Sequence, residues 1–220
     1  MDCWIASFPR SGNTYFRNIL FYVYGIESST WHNETTYPVD ENYTDFKFVK
    51  THLLPKDLLP ADPSIPAIYL VRDGRDAVVS IAHHRKDLVV PGSDFEENLL
   101  EAIVAAEGSF FGGWSQNAAA WIERAQLVIK YEDLVADPVA TFKRIENLIK
   151  MPPANWNNLP GFEEMKKGKP QYGGTSKLAD PKFNPENFSE KFFRKGKSGG
   201  WKDEMSDEMQ DLFWNYHGFM

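Results

Sequence analysis

Four short apolar runs, Cys3–Phe8, Phe46–Thr51, Ala67–Arg72 and Gln126–Tyr131, alternate along this chain with segments of helical periodicity. That alternation is what a parallel sheet covered by helices produces. The spacing predicts a first helix from near Gly12, with Phe16, Ile19, Leu20 and Val23 repeating on one face. A second follows Arg72 and gathers Ala77, Val78, Ile81 and Ala82. Asp137-Pro138 offers a cap and a proline at the first helical position, and Phe142, Ile145 and Ile149 continue that helix. Ser206 caps a last helix whose predicted inner face is Met209, Leu212, Phe213 and Tyr216. The expected fold class is therefore α/β, a central parallel sheet flanked by helices. A chain of 220 residues suits one such domain, residues 1–220. A domain of that size buries roughly 70% of its unfolded surface, so its core needs no disulfide or structural metal.

Composition narrows the function. With 24 Lys+Arg against 31 Asp+Glu the net charge is −7, which argues against a general nucleic-acid binder. Cys3 is the single cysteine, so an internal disulfide and a multi-Cys zinc site are both excluded. No apolar run approaches the roughly 20 residues of a membrane span. The first residues lack a basic segment and reach Pro9 too soon for a signal peptide. The expectation is a soluble, cytoplasmic protein without a membrane or nucleic-acid partner, in which the triplets at Asn33, Asn42 and Asn187 are chance matches to a glycosylation signal. The stretch from Lys166 to Gly200 differs in kind. It is rich in Lys, Gly, Pro and Asn, weakly periodic, and expected to run over the surface as a long loop.

Four segments carry chemistry. Ser7-Phe8-Pro9-Arg10-Ser11-Gly12-Asn13-Thr14-Tyr15 lies between the first strand and the first helix. A helix start presents unpaired N–H groups and the positive end of the dipole, and so binds an anion such as phosphate. Gly12 permits a close turn, Ser11 and Thr14 add hydroxyls, and Arg10 adds a planar cation. The first glycine and the Gly-Lys pair of a Walker P-loop are missing, and a capped turn with a surface arginine is the plain alternative. Lys50-Thr51-His52 ends a strand, where alternation sends Lys50 and His52 to one face. A cation beside an imidazole suits a site where a hydroxyl loses its proton, although an isolated pair more often just faces solvent. His83 and His84 diverge on a helix and make a poor metal pair. Arg72 closes an apolar strand, the place where open α/β sheets bind ligands, and Ser80 in the next helix could share its anion. Phe193 to Lys202 is a basic, glycine-rich run. A solvated charge run is the default and an RNA contact an alternative, but positive charge concentrated against the overall balance points to a specific anion. Phe110, Phe111 and Trp114 offer an apolar wall for an acceptor, at a spacing that core packing produces more often.

In their order these motifs resemble the family of sulfotransferases that use 3′-phosphoadenosine 5′-phosphosulfate (PAPS). Ser7 to Thr14 match the strand–loop–helix of that family, Lys50 and His52 its K-x-H strand end, and Arg72 to Ser80 its 3′-phosphate segment. Tyr131 to Leu134 match its Y-E-D-L, and Arg194 to Lys202 its R-K-G-x-x-G-x-W-K. The resemblance implies a P-loop-like nucleotide-binding core in which Arg10, Ser11, Gly12, Asn13 and Thr14 bind the 5′-phosphosulfate. It implies that Arg72, Ser80, Arg194, Lys195 and Gly196 hold the 3′-phosphate. Tyr131 would contact adenine, and Tyr15 stands where an adenine-stacking tryptophan is usual. His52 would be the general base, with Lys50 and Arg10 offsetting charge on the departing oxygen. Arg10 replaces the lysine of cytosolic members and Asn13 a frequent threonine. The short dimer motif of cytosolic members does not follow Lys202, which leaves the oligomeric state open.

The expected activity is sulfuryl transfer from PAPS to a hydroxyl of a small-molecule or glycan acceptor, with no metal required. A P-loop kinase or NTPase is the first rival, against which the absent Walker lysine counts. A non-catalytic nucleotide- or RNA-binding module is the second, and it leaves His52 without a task. In the Lys166–Gly200 stretch, Arg194, Lys195 and Lys197 repel one another with Glu190 the one obvious local carboxylate. The loop is therefore expected to be ordered by its ligand.

Overall fold

The computed structural model describes residues 1–31, 42–105, 111–174 and 187–218. Five parallel strands, β1 (Cys3–Ser7), β2 (Ser28–Thr30), β3 (Phe48–Thr51), β4 (Ala67–Val71) and β5 (Leu127–Lys130), form one sheet in the order β2-β3-β1-β4-β5. The α/β expectation holds, and each of the four expected strands falls inside its apolar run. The edge strand β2 is the one that periodicity missed: Ser28-Ser29-Thr30 carries no apolar signal and owes its place to pairing with β3.

Strand alternation divides the core. Cys3 and Ile5 face one side with Phe48, Ile68, Leu70 and Ile129, and are covered by α1 (Asn13–Tyr24) and α6 (Pro138–Glu146) through Phe16, Ile19, Leu20, Phe142 and Ile145. Trp4 and Ala6 face the other side with Val49 and Tyr69, beneath Ala118 and Trp121 of α4 (Trp114–Arg124). Beside this second layer, α2 (Gly74–His84), α3 (Phe95–Val104) and α9 (Asp207–His217) share a cluster that includes Ala77, Val78, Ile81, Leu99, Ile103 and Phe213. The short helix α5 (Tyr131–Ala136) follows β5 directly.

Caps behave as the sequence suggests. Asp137 accepts from the Ala140 amide at 2.9 Å with Pro138 at the start of α6, and Ser206 accepts from the Met209 amide at 3.2 Å. The inner face of α9 differs from expectation. Phe213 and His217 are buried, whereas Tyr216 is half exposed. Residues 216 and 217 flank Phe213 at about −60° and +40° around the helix, and tertiary packing against Ser115 and Ile103 decides for residue 217. His217 tolerates burial because Ser115 Oγ and the Ile103 carbonyl partner its two ring nitrogens.

The described parts of the Lys166–Gly200 stretch are more built than its composition suggests. They include the end of α7 (Phe162–Lys167) and the short helix α8 (Phe188–Phe192). Tyr172 is tied to α1 and β2: Asn18 exchanges two hydrogen bonds with its backbone, its hydroxyl pairs with the Ser28 backbone, and Arg17 lies over its ring at 3.9 Å.

Candidate active site

A parallel sheet places all its carboxyl ends on one edge, and four of the five sequence motifs arrive there side by side, while the fifth, Arg194 to Lys202, meets them through the hydrogen bond from Arg72 to the Lys197 carbonyl. His52 follows β3, Arg10 follows β1, Arg72 follows β4 and Tyr131 follows β5.

After β1 the chain turns through Arg10 with φ 65° and Gly12 with φ 95° before α1 starts at Asn13. A non-glycine residue in that region stores strain, which concentrates at functional turns. Gly12 is required twice over, because a Cβ there would lie 2.5 Å from the Tyr131 ring. The Ser11 hydroxyl is buried and unpaired, an orphan that an anion oxygen would satisfy. Asn13 points elsewhere. Its Nδ2 donates to the Ile5 carbonyl and to Ser7 Oγ, both at 3.2 Å, so only its backbone N–H is left for a phosphate. Tyr15 is partly buried against the α1–α6 side of the core and near enough to Tyr131 to raise its phenol further, after burial itself.

The cations of the site are each held by protein partners. Arg10 Nε donates to Ser80 Oγ at 3.1 Å, its Nη2 donates to the Phe192 carbonyl at 2.6 Å, and its guanidinium lies 4.2 Å from the centre of the Phe192 ring. Burial, and then repulsion by Arg72, brings Arg10 down to about 10, which still leaves it charged at neutral pH. Arg72 donates to the carbonyls of Arg10 and Lys197 and covers the Tyr131 ring at 4.5 Å, with its buried Nε unpaired.

Arg194 and Lys195 have a carboxylate that local reading did not find. Glu204, not Glu190, receives Arg194 Nη1 at 3.0 Å on both oxygens, Lys195 Nζ at 2.6 Å and His83 Nε2 at 2.5 Å. Burial would raise the Glu204 carboxyl, but the hydrogen bonds from three side chains outweigh it and hold the group at about 2. Gly196 follows with φ 61°, its missing side chain leaving room for the Phe162 ring. Asp76, in the first turn of α2, accepts from the amides of Gly199 and Trp201 at 2.7 and 3.1 Å and so fixes the far end of the same loop.

On the other flank, His52 Nδ1 lies 2.7 Å from the Ser7 carbonyl. A carbonyl only accepts, so Nδ1 carries the proton and Nε2 keeps the lone pair that a base needs. Asn117 of α4 donates to the His52 and Phe111 carbonyls at 3.0 and 3.1 Å and accepts from the Tyr69 hydroxyl. Trp121 donates to the next carbonyl, that of Leu53, at 2.8 Å. Two buried polar side chains of one helix thus hold the backbone at His52 and Leu53; an asparagine four residues before Trp121, on the same helix face, was the available sequence signal for the first. Burial, then Arg17 and Arg10, bring Lys50 down to about 7.

The three aromatics separate. Phe110 lies outside the described residues. The Phe111 ring is 5.4 Å from His52, at the site, with φ 54°. Trp114 belongs to the core, packed on Phe213 with its indole N–H donated to the Arg72 carbonyl. Among the described residues, no group of three or more His, Cys, Asp or Glu is placed to hold a metal ion, and no helix is long and apolar enough to cross a membrane.

The sulfotransferase domain model matches residues 1–217. Sulfotransferase 1A1 of Bos taurus is 28% identical over 96% of this chain and 80% of its own length. Flavonol 3-sulfotransferase of Flaveria bidentis is 27% identical over 94% of this chain and 78% of its own. Among solved structures, mouse sulfotransferase SULT7A1 complexed with PAP superposes with a TM-score of 0.72 at 20% identity, covering 100% of this chain and 85% of that one. Retinol dehydratase in complex with androsterone and inactive cofactor PAP gives 0.66 at 20% identity, covering 98% and 79%.

Proposed function

Because this chain belongs to the sulfotransferase domain family, we propose that it moves a sulfuryl group from PAPS to a hydroxyl of a small molecule, with His52 as general base. The observation that carries this reading is the contact between His52 Nδ1 and the Ser7 carbonyl. The strand that leads into the anion-binding turn also holds the imidazole in the tautomer that leaves Nε2 basic. Donor cradle and base are therefore parts of one rigid edge, the preorganisation that positioning catalysis needs.

The residues present suit the donor. The orphaned Ser11 hydroxyl is a donor that an anion oxygen would satisfy, the start of α1 adds the positive end of the helix dipole, and Gly12, lacking a Cβ, lets the Tyr131 ring pack against the turn. Arg72 and the Arg194-Lys195 pair would meet the 3′-phosphate, the latter two by exchanging Glu204 for it. In the reaction the acceptor oxygen forms the new O–S bond, the S–O bond to the phosphate breaks, and the hydroxyl proton passes to His52 Nε2. Lys50 and Arg10 offset the charge that grows on the departing phosphate oxygen. Fixed cations and helix amides do this without a metal. Relatives named for flavonols favour small-molecule acceptors over glycans.

A panel of phenols, sterols, aliphatic alcohols and sugars with labelled PAPS, scored by gain of one sulfuryl group, tests the reading. His52→Ala should lose at least about 100-fold in turnover, the low end for a positioned base. Calorimetry should show its affinity for 3′-phosphoadenosine 5′-phosphate little changed. Turnover near the wild-type rate would remove His52 from the role.

A further inference from the structure

His84 is the last residue of α2, one turn beyond Ser80. Helix residues four apart share a face, so the two side chains look into the same crevice. Ser80 meets Arg10 there. The His84 ring meets Phe192 edge-on, with centroids 5.8 Å apart at 89°, and the Arg10 guanidinium covers that same phenyl ring.

The course of α2 says which part of the crevice this is. The helix leaves the end of β4 just after Arg72, passes Arg10 at the end of β1, and finishes within electrostatic reach of Lys50 at the end of β3. Arg72 and Tyr131 lie on the β4–β5 side, where the proposed function puts the nucleotide. His84 lies toward Lys50 at the end of β3, the strand that His52 follows, and so toward the proposed base that an acceptor hydroxyl would have to reach.

Its Nδ1 is buried and has no hydrogen-bond partner. Leaving a buried polar atom unpaired is destabilising, a cost that an apolar ring of similar size would avoid. The other described histidines of the α2–α9 region show the contrast: His83 pairs with Glu204, and both nitrogens of His217 are engaged. Burial, then Arg10 and Lys50, bring the His84 imidazole down to about 3, so at neutral pH it offers one N–H and one lone pair and no charge.

We propose that His84 determines acceptor specificity, its Nδ1 hydrogen-bonding a polar group of the acceptor other than the hydroxyl that is sulfated. The inference rests on the sulfuryl-transfer reading above. The favoured class is acceptors with a second hydroxyl. A desolvated polar atom left unpaired penalises the analogue lacking that group, whereas the matching one is rewarded.

Two series decide it: phenol against catechol, resorcinol and hydroquinone, and a monohydroxy against a dihydroxy steroid. Each is assayed with PAPS and also titrated by calorimetry into protein saturated with 3′-phosphoadenosine 5′-phosphate. In at least one series the wild type should favour a dihydroxy member at least about tenfold in kcat/KM, mainly through KM, with the same preference in binding. His84→Phe, which keeps the ring's bulk, should reduce that preference to about twofold or less, and His84→Gln should recover part of it. No discriminating pair in either series, or a preference undiminished in His84→Phe, overturns the assignment. A His84-dependent preference in binding without sulfation of any acceptor would uphold His84 and overturn the transfer reading instead.

Discussion

Two residues of the candidate site, Gly12 and Lys50, stand in states that a solvent-exposed copy would not adopt. At Gly12 the positive φ and the Tyr131 ring 2.5 Å from a would-be Cβ act together. Gly12→Ala should therefore lose about 1–3 kcal/mol of stability in denaturant unfolding, from backbone strain and the displaced ring. It should also weaken nucleotide binding in calorimetry, since the ring that must move is the expected adenine contact. Unchanged nucleotide affinity would detach Tyr131 from that role. Lys50 is the second case. With burial and two arginines bringing it to about 7, most of it is neutral at pH 8 in the free protein. A nearby anion raises the pKa again, so binding of PAPS at pH 8 should take up as much as about one proton. The dependence of the calorimetric enthalpy on buffer ionisation reads this out, and Lys50→Met should abolish it. Binding without proton uptake would place Lys50 away from the anion.

Among the elements, α2 organises more of the site than any one motif. Its first turn supplies Asp76, which holds the Gly199 and Trp201 amides; its middle supplies Ser80, which holds Arg10; its last turn supplies His83 for Glu204. The basic loop is thus fastened at both ends to a helix that itself starts from the edge of the sheet. Asp76→Ala would leave two amides unpaired, the one at Trp201 buried, at a cost of about 1–3 kcal/mol for each that water does not reach. Hydrogen exchange at Gly199 and Trp201 should accelerate in the variant while the strands of the sheet stay protected. Equal protection in the two proteins would show that the loop is held by other contacts, such as Arg75 over the Trp201 ring.

For the whole molecule, Glu204 couples acidity to stability. Its carboxyl sits at about 2 in the folded chain against an ordinary 4.5. A depressed folded value means that the folded state keeps the charge the unfolded state gives up. The contribution is complete above about pH 4.5 and disappears as the pH falls toward 2. Glu204→Gln should accordingly unfold with a stability lower by about 1–3 kcal/mol at pH 7, and the gap from wild type should close in that acid window. A gap that stays constant down to pH 2 would mean that the loss comes from packing and not from the ion cluster.

The sequence by itself determined the α/β class, four of the five strands, the caps of α6 and α9, and the four motif positions along the edge of the sheet. Each of these depends on physics that acts within a turn or two of chain: apolar periodicity, a capping side chain, a strand end followed by a helix start. Parallel topology then turns local position into shared location, since every strand end of the sheet lies on one edge. Tertiary structure alone decided the rest. Ser28–Thr30 became a strand because β3 offered it partners, not because of its own residues. His52 received its tautomer from Ser7, 45 residues away, and its backbone support from Asn117, 65 residues away. Glu204 rather than Glu190 met Arg194 and Lys195 because the turn before α9 brings it there, beside His83 from 121 residues earlier. His84 gained its meaning in the same way, from a helix path that carries it past Arg10 toward Lys50. Hydrogen bonds and charge pairs at such separations exist only once packing has closed the intervening chain, and no periodicity in the sequence encodes which of several candidate partners will be adjacent.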